Sequence, residues 1–203
     1  MKKHNKKAIE IMTEFVEGRM SIQDFKYQFD NNPIIIETFS NYPNRPYKTG
    51  IGYDYIKYIN SININERGDA LAFHGFMREF LELNGYHCVP TDMYRKKYRF
   101  LISIQPNWLE IYDEDFLEKQ IISQIPDGLS EPKRIAWCKA RIKELFRYDD
   151  KPPRWLQGAE WPIKNGKPLV FRNQVRVKGD DYRVLYYFYD PDTGEEEIVE
   201  QFT

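Results

Sequence analysis

The segment Pro152-Pro-Arg-Trp-Leu-Gln-Gly-Ala-Glu-Trp-Pro162 separates two kinds of pattern, and no other feature constrains the fold as strongly. Upstream, apolar residues recur every three or four positions, the period of an amphipathic helix. Downstream come Pro168-Leu-Val-Phe-Arg-Asn-Gln-Val-Arg-Val177 and Tyr182-Arg-Val-Leu-Tyr-Tyr-Phe-Tyr189, β-branched and aromatic runs that suit strands. The expected class is therefore α+β: a mainly helical body from about residue 6 to 148, then a small antiparallel β module. The corresponding regions are 1–149 and 150–203, packed as one compact unit. With 203 residues, 41% of them hydrophobic and 16% aromatic, the chain can bury a core without disulfides.

Within the helical part, Ile9, Met12, Phe15 and Val16 share one face of a helix over Lys6 to Glu17 that Gly18 ends. Ser21 is placed to cap a second helix carrying Phe25 and Phe29 as far as Asp30. Pro33-Ile-Ile-Ile-Glu-Thr-Phe39 reads equally as a short helix or a buried strand, and Asn41 to Gly52 as a loop. Helical spacing resumes at Tyr53, Ile56 and Ile59, and strengthens from Glu66 to Leu83, where Asn84-Gly85 supplies the stop. Asp113 caps a helix through Phe116, Leu117 and Ile121. Ser130 caps the last one, whose stripe is Ile135, Cys138, Ile142, Leu145 and Phe146. Asn165-Gly166 and Asp192-Thr-Gly194 are turn chemistry, giving two hairpins and three or four antiparallel strands.

Candidate chemistry is sparse. Of the three histidines, His74 falls with Arg78 and Glu82 on what reads as the polar side of its helix, and none of the three has a second ligand at metal spacing. Cys88 and Cys138 lie in or beside apolar segments without a Cys-X-X-Cys pair and read as buried free thiols. Asp190-Pro-Asp192 is loosely similar to a calcium loop but lacks its further oxygen donors, so turn chemistry is the better reading. Tyr94-Arg-Lys-Lys-Tyr-Arg99 and the basic face from Lys133 to Arg147 could meet phosphates. A net charge of −1 supplies no field to hold a polyanion, which argues against nucleic acid. No apolar run approaches the roughly 20 residues of a membrane helix, and Glu10, Thr13 and Glu14 interrupt any signal-peptide core, so a cytoplasmic protein without a membrane role is expected. No cofactor is called for, and a binding protein is favoured over an enzyme.

The end of the chain is lopsided: Asp180, Asp181, Asp190, Asp192, Glu195, Glu196, Glu197 and Glu200 stand against Arg183 alone. Such an acidic sheet would attract a cationic partner or guard an edge strand against aggregation, readings of equal weight. Alternation puts Tyr182, Val184, Tyr186 and Phe188 on one face, and Arg183, Leu185, Tyr187 and Tyr189 on the other. Trp155 and Trp161 are assigned to the core. The expected partner-binding set is Asp180, Asp181, Tyr187, Tyr189, Glu195, Glu196, Glu197, Glu200 and Arg154.

Over Pro153 to Gly194, the runs Pro153-Arg-Trp-Leu-Gln157, Trp161-Pro162, Asn165-Gly-Lys-Pro-Leu169, Phe171-Arg-Asn-Gln174 and Tyr187-Phe-Tyr-Asp-Pro-Asp-Thr-Gly194 carry a resemblance. The module resembles small bacterial proteins of unassigned activity, several of which accompany polymorphic toxins as immunity proteins. The resemblance implies a protein partner, such as a basic toxin domain, neutralised by occlusion. The alternatives are a protein-binding structural or regulatory factor of a phage or mobile element, and a hydrolase or nuclease built from scattered His and acidic residues.

Overall fold

The computed structural model describes residues 6–41, 55–111, 113–177, 179 and 183–202. Helices α1 (Lys6–Val16), α2 (Ile22–Asn31), α3 (Pro33–Asn41), α4 (Tyr55–Ser61), α5 (Arg67–Leu83), α6 (Met93–Ile104), α7 (Glu114–Gln120) and α8 (Glu131–Leu145) come first, with a 3-10 turn at Ile122–Gln124. Strands β1 (Ile163–Lys164), β2 (Lys167–Pro168), β3 (Val170–Arg176), β4 (Arg183–Tyr189) and β5 (Glu196–Phe202) follow. The class is α+β, a helical body followed by antiparallel sheet. The ambiguous segment at Pro33 is helical, proline being harmless in a first turn where its missing N–H has no partner to lose. The loop expected from Asn41 to Gly52 lies, apart from Asn41 itself, outside the described residues, as do Asp180, Asp181 and Tyr182.

The chain divides into two compact units between Arg99 and Phe100. In the first, α1 packs its apolar stripe so that Phe15 stacks on Phe25 at 4.7 Å and meets Phe73 at 5.4 Å. Phe39 lies 4.6 Å from Phe80. The Ser21 hydroxyl accepts from the Asp24 amide at 3.0 Å, the expected cap. Gly18 closes α1 with φ +78°, and a Cβ there would stand 2.9 Å from Thr91 Cβ, so conformation and space both require glycine.

His74 corrects its sequence reading. It is 5% exposed and donates from Nε2 to the Val16 carbonyl at 2.8 Å, with its ring beside Phe15 and Tyr94. Ala70, Met77 and Leu81, its neighbours on the helix surface, are buried as well, so His74 lies at the margin of the buried face of α5 and its shared spacing with Arg78 and Glu82 does not put it in solvent.

In the second unit, Leu101 and Ile104 of α6, Phe116, Leu117 and Ile121 around α7, and Cys138, Ile142 and Phe146 around α8 share one core with Trp161, Phe171, Tyr186 and Phe188. Packing therefore divides the chain at 99/100, while secondary structure changes near 150, because the last helices need the sheet to cover their apolar stripes. Asp113 caps α7 by accepting from the Phe116 amide at 2.8 Å. Ser130 occupies the N-cap position of α8 with extended backbone, yet its hydroxyl makes no cap bond; only its carbonyl is used, by the Arg134 amide.

The β module forms two sheets, β1-β2 and β3-β4-β5, both antiparallel. The β1-β2 turn needs positive φ at two successive residues, met by Asn165 (φ 52°) and Gly166 (φ 73°). In the β4-β5 turn the Asp190 carboxylate accepts from the Asp192 amide and its carbonyl from Gly194, each at 2.8 Å, the turn role expected of that segment.

Candidate functional site

Strand alternation gives the β3-β4-β5 sheet two faces. Val184, Tyr186 and Phe188 are buried, and the residues between them, Arg183, Leu185, Tyr187 and Tyr189, are half-buried on the other face, as the pattern predicts. Register extends this outward face sideways: Leu185 lies between Val175 and Glu200, Tyr187 between Asn173 and Ile198, and Arg183 opposite Phe202. Val175 is 49% exposed, Ile198 53% and Phe202 51%. An apolar strip thus runs across all three strands without cover among the described residues.

Two cation-aromatic groups frame the strip. The Arg172 guanidinium lies 4.8 Å from the Tyr189 ring and pairs with Glu196; Arg183 lies 5.7 Å from the Phe202 ring and pairs with Glu200. Tyr189 also donates to the Asp149 carboxylate at 3.0 Å, and burial first, then that bond, pushes its phenol pKa upward. Elsewhere Lys164 meets Glu195 at 2.6 Å, and Lys167 pairs with Asp192. Those bonds raise the lysine pKa values, and Lys167 lowers that of Asp192. Among the described acids of the run, Asp192, Glu195, Glu196 and Glu200 are therefore matched by bases from β2, β1, β3 and β4, while Asp190 and Glu197 have no described base within 4 Å.

Of the predicted partner-binding residues, Tyr187, Tyr189, Glu196 and Glu200 share the outer face. Glu197 belongs to the opposite side chains of the same strand, and Glu195 precedes it. Arg154 is on the inner side by its backbone: the Gln174 amide group brackets its N–H and C=O at 2.7 and 3.1 Å, and Tyr186 also donates to that carbonyl at 3.1 Å. Its side chain is exposed, but the fold uses only its peptide group. Val175, Ile198 and Phe202 were absent from the sequence-derived set. The signal that could have found them is the alternation in Glu196-Glu-Ile-Val-Glu-Gln-Phe202, which puts Ile198 and Phe202 on the face opposite Val199 and Gln201.

The groups considered for catalysis have structural surroundings. Burial lowers the His74 pKa, and Arg78 and Arg95 add to the shift, while the bond to Val16 opposes it. Burial raises the thiol pKa of both cysteines; Cys138 is buried as expected, Cys88 only half-buried. Among the described residues no three His, Cys, Asp or Glu side chains converge as a metal site requires, and no helix is long and apolar enough to cross a membrane. A shallow groove of about 400 Å³ beside α1, lined by Ile9, Thr13, Arg19 and Tyr86 among others, holds no catalytic set. Tyr94 is buried in the first core, so the basic-aromatic run of α6 offers one ring fewer for stacking on bases than its composition implies. Comparison with family models, with curated proteins and with solved structures finds no match.

Proposed function

We propose that the protein is an interaction protein that neutralises a cognate toxin, engaging it through the outer face of the β3-β4-β5 sheet. The observation that carries this reading is the uncovered strip of Val175, Leu185, Tyr187, Ile198 and Phe202 framed by paired charges. An apolar centre inside a polar rim is the anatomy of a protein interface, and Tyr and Arg are the side chains that dominate interface energetics. The toxin assignment is the reading implied by the resemblance over Pro153 to Gly194. The occlusion reading asks nothing of a cofactor, and the protein would work where its toxin reaches the cytoplasm.

The test is growth rescue on co-expression with a toxin domain taken from a gene neighbouring this one, and the absence of any such toxin gene would count against the reading. The unsubstituted protein should restore growth and bind the toxin domain, and the double substitution Val175→Asp with Ile198→Asp should abolish both while the circular-dichroism spectrum is kept. Arg154→Ala, on the far side of the sheet, should change neither. Rescue by the double variant would remove the outer face from the mechanism.

A further inference from the structure

Strand β5 forms the edge of its sheet, and that edge differs in chemistry from the face it borders. Opposed residues in an antiparallel pair alternate between those that exchange backbone hydrogen bonds and those that do not. The Asp190 amide donates to the Glu195 carbonyl at 2.9 Å, which sets the phase: Glu197, Val199 and Gln201 bond towards β4, and Glu196, Ile198, Glu200 and Phe202 point their amides and carbonyls away from it. Gln157 agrees with this phase, since its side-chain amide reaches the Phe202 carbonyl from outside the sheet. The opposite edge is treated differently. There the Asp149 amide donates to the Phe171 carbonyl and the Phe171 amide to the Arg147 carbonyl, each at 3.0 Å, so the chain covers the start of β3. Nothing among the described residues covers Glu196, Ile198 and Glu200 in that way.

We infer that an extended basic-apolar segment of a partner adds to β5 as a further strand. Resting on the protein-binding reading above, this names the chemistry of the partner. The outward-pointing amides belong to the residues whose side chains lie on the outer face in the order Glu196, Ile198, Glu200, Phe202: acid, apolar, acid, apolar. A strand with Lys or Arg at every fourth position and an apolar residue midway between would set cation against Glu196 and Glu200 and apolar area against Ile198 and Phe202. Arg172 and Arg183 approach those carboxylates from the β3 and β4 side, and an ionised carboxylate has acceptor capacity left for a second donor. A second copy of this chain fits poorly, because β5 contains Glu196, Glu197 and Glu200 and no Lys or Arg, so pairing two copies brings like charges together and supplies no cation in any register.

The probe is a blocked peptide, Thr-Lys-Thr-Val-Thr-Lys-Thr-Val, added to the full chain while amide exchange is followed residue by residue. Exchange at Ile198 and Glu200 should slow by about tenfold or more as the new bonds form, with Val199, already bonded to β4, unchanged. N-methylating the peptide at alternate residues should abolish the effect in one phase and spare it in the other. Ile198→Pro removes one outward donor at an edge position that tolerates proline, and should weaken binding about tenfold. No slowing, or equal loss from both N-methyl phases, overturns the proposal. Slowing at the same amides with protein concentration alone overturns it in favour of self-pairing. A toxin that binds Ile198→Pro undiminished, yet is lost on Val175→Asp with Ile198→Asp, overturns the edge and leaves the face standing; loss of the peptide effect alone does not touch the face.

Discussion

On the inner face of the β3-β4-β5 sheet, Gln174, Tyr186 and Gln201 direct their polar groups at the backbone of residues 154–158, whereas Arg172, Glu196, Arg183 and Glu200 on the outer face bond to one another in solvent. The inner row takes one side chain from each strand. Gln174 holds Arg154; the Tyr186 hydroxyl accepts from Leu156 at 2.6 Å; Gln201, 1% exposed, accepts from Leu156 and Gln157 and donates to the Gly158 carbonyl at 2.7 Å. Above this row Trp155 lies 4.5 Å from Tyr186, and Trp161 donates to the Leu169 carbonyl at 2.8 Å. The difference teaches that polar groups on one sheet do two jobs: the inner ones fasten the 154–158 segment to the strands, and the outer ones satisfy one another and leave the apolar strip between them uncovered.

Breaking the inner face should cost most. Trp161→Ala, which empties a site between Phe146, Phe171, Trp108 and Phe188, should destabilise the protein by about 3–5 kcal/mol in denaturant unfolding. A loss under about 1 kcal/mol would show that Trp161 is not central to the core. Gln201→Ala leaves the Gln157 amide and the Gly158 carbonyl without their side-chain partner and should cost about 2–3 kcal/mol. Tyr186→Phe should cost about 1 kcal/mol, since Gln201 and Gln174 still serve Leu156 and Arg154.

The same contrast between inward and outward polar groups extends to the first unit through His74. Its pKa in the folded chain lies below the ordinary value of 6.5, so the unfolded chain binds the proton first. Stability from this site is complete above that ordinary value and is lost as pH falls from there through the lowered folded pKa. Denaturant midpoints should drop across that acid window in the native chain and flatten in His74→Gln. Smallest of all, Glu196→Gln with Glu200→Gln should shift stability by no more than about 0.5 kcal/mol, because exposed ion pairs contribute little. A larger loss would erase the distinction between the faces.

Much of this was legible. The stripes of α1 and α5, the caps at Ser21 and Asp113, and the inward alternation of Val184, Tyr186 and Phe188 follow from period and local hydrogen bonding, which a sequence displays directly. The neutralisation of the acidic end was not, because Glu195, Glu196 and Asp192 find their bases 31, 24 and 25 positions earlier in the chain, and a charge count along a window cannot see across strands. His74 was misplaced for a related reason: spacing shows which residues share a helix face, not which faces other elements will cover. The packing boundary at Arg99 also escaped, since it divides α6 where the sequence has no Gly, Pro or change of pattern.

Gln201 has a consequence for biosynthesis. It bonds to residues 43 to 45 positions earlier, so the unit beginning at Phe100 cannot close until its last strand has left the ribosome. The first unit, with its core complete by Tyr94, waits for nothing so late. During translation the helices α7 and α8 therefore emerge with their apolar stripes uncovered, and nascent chains stalled before β5 should be cut by protease within α7 and α8 while the segment before Arg99 resists. For this unit the window of vulnerability closes only once β5 has emerged, which makes that strand a timing element as well as a structural one.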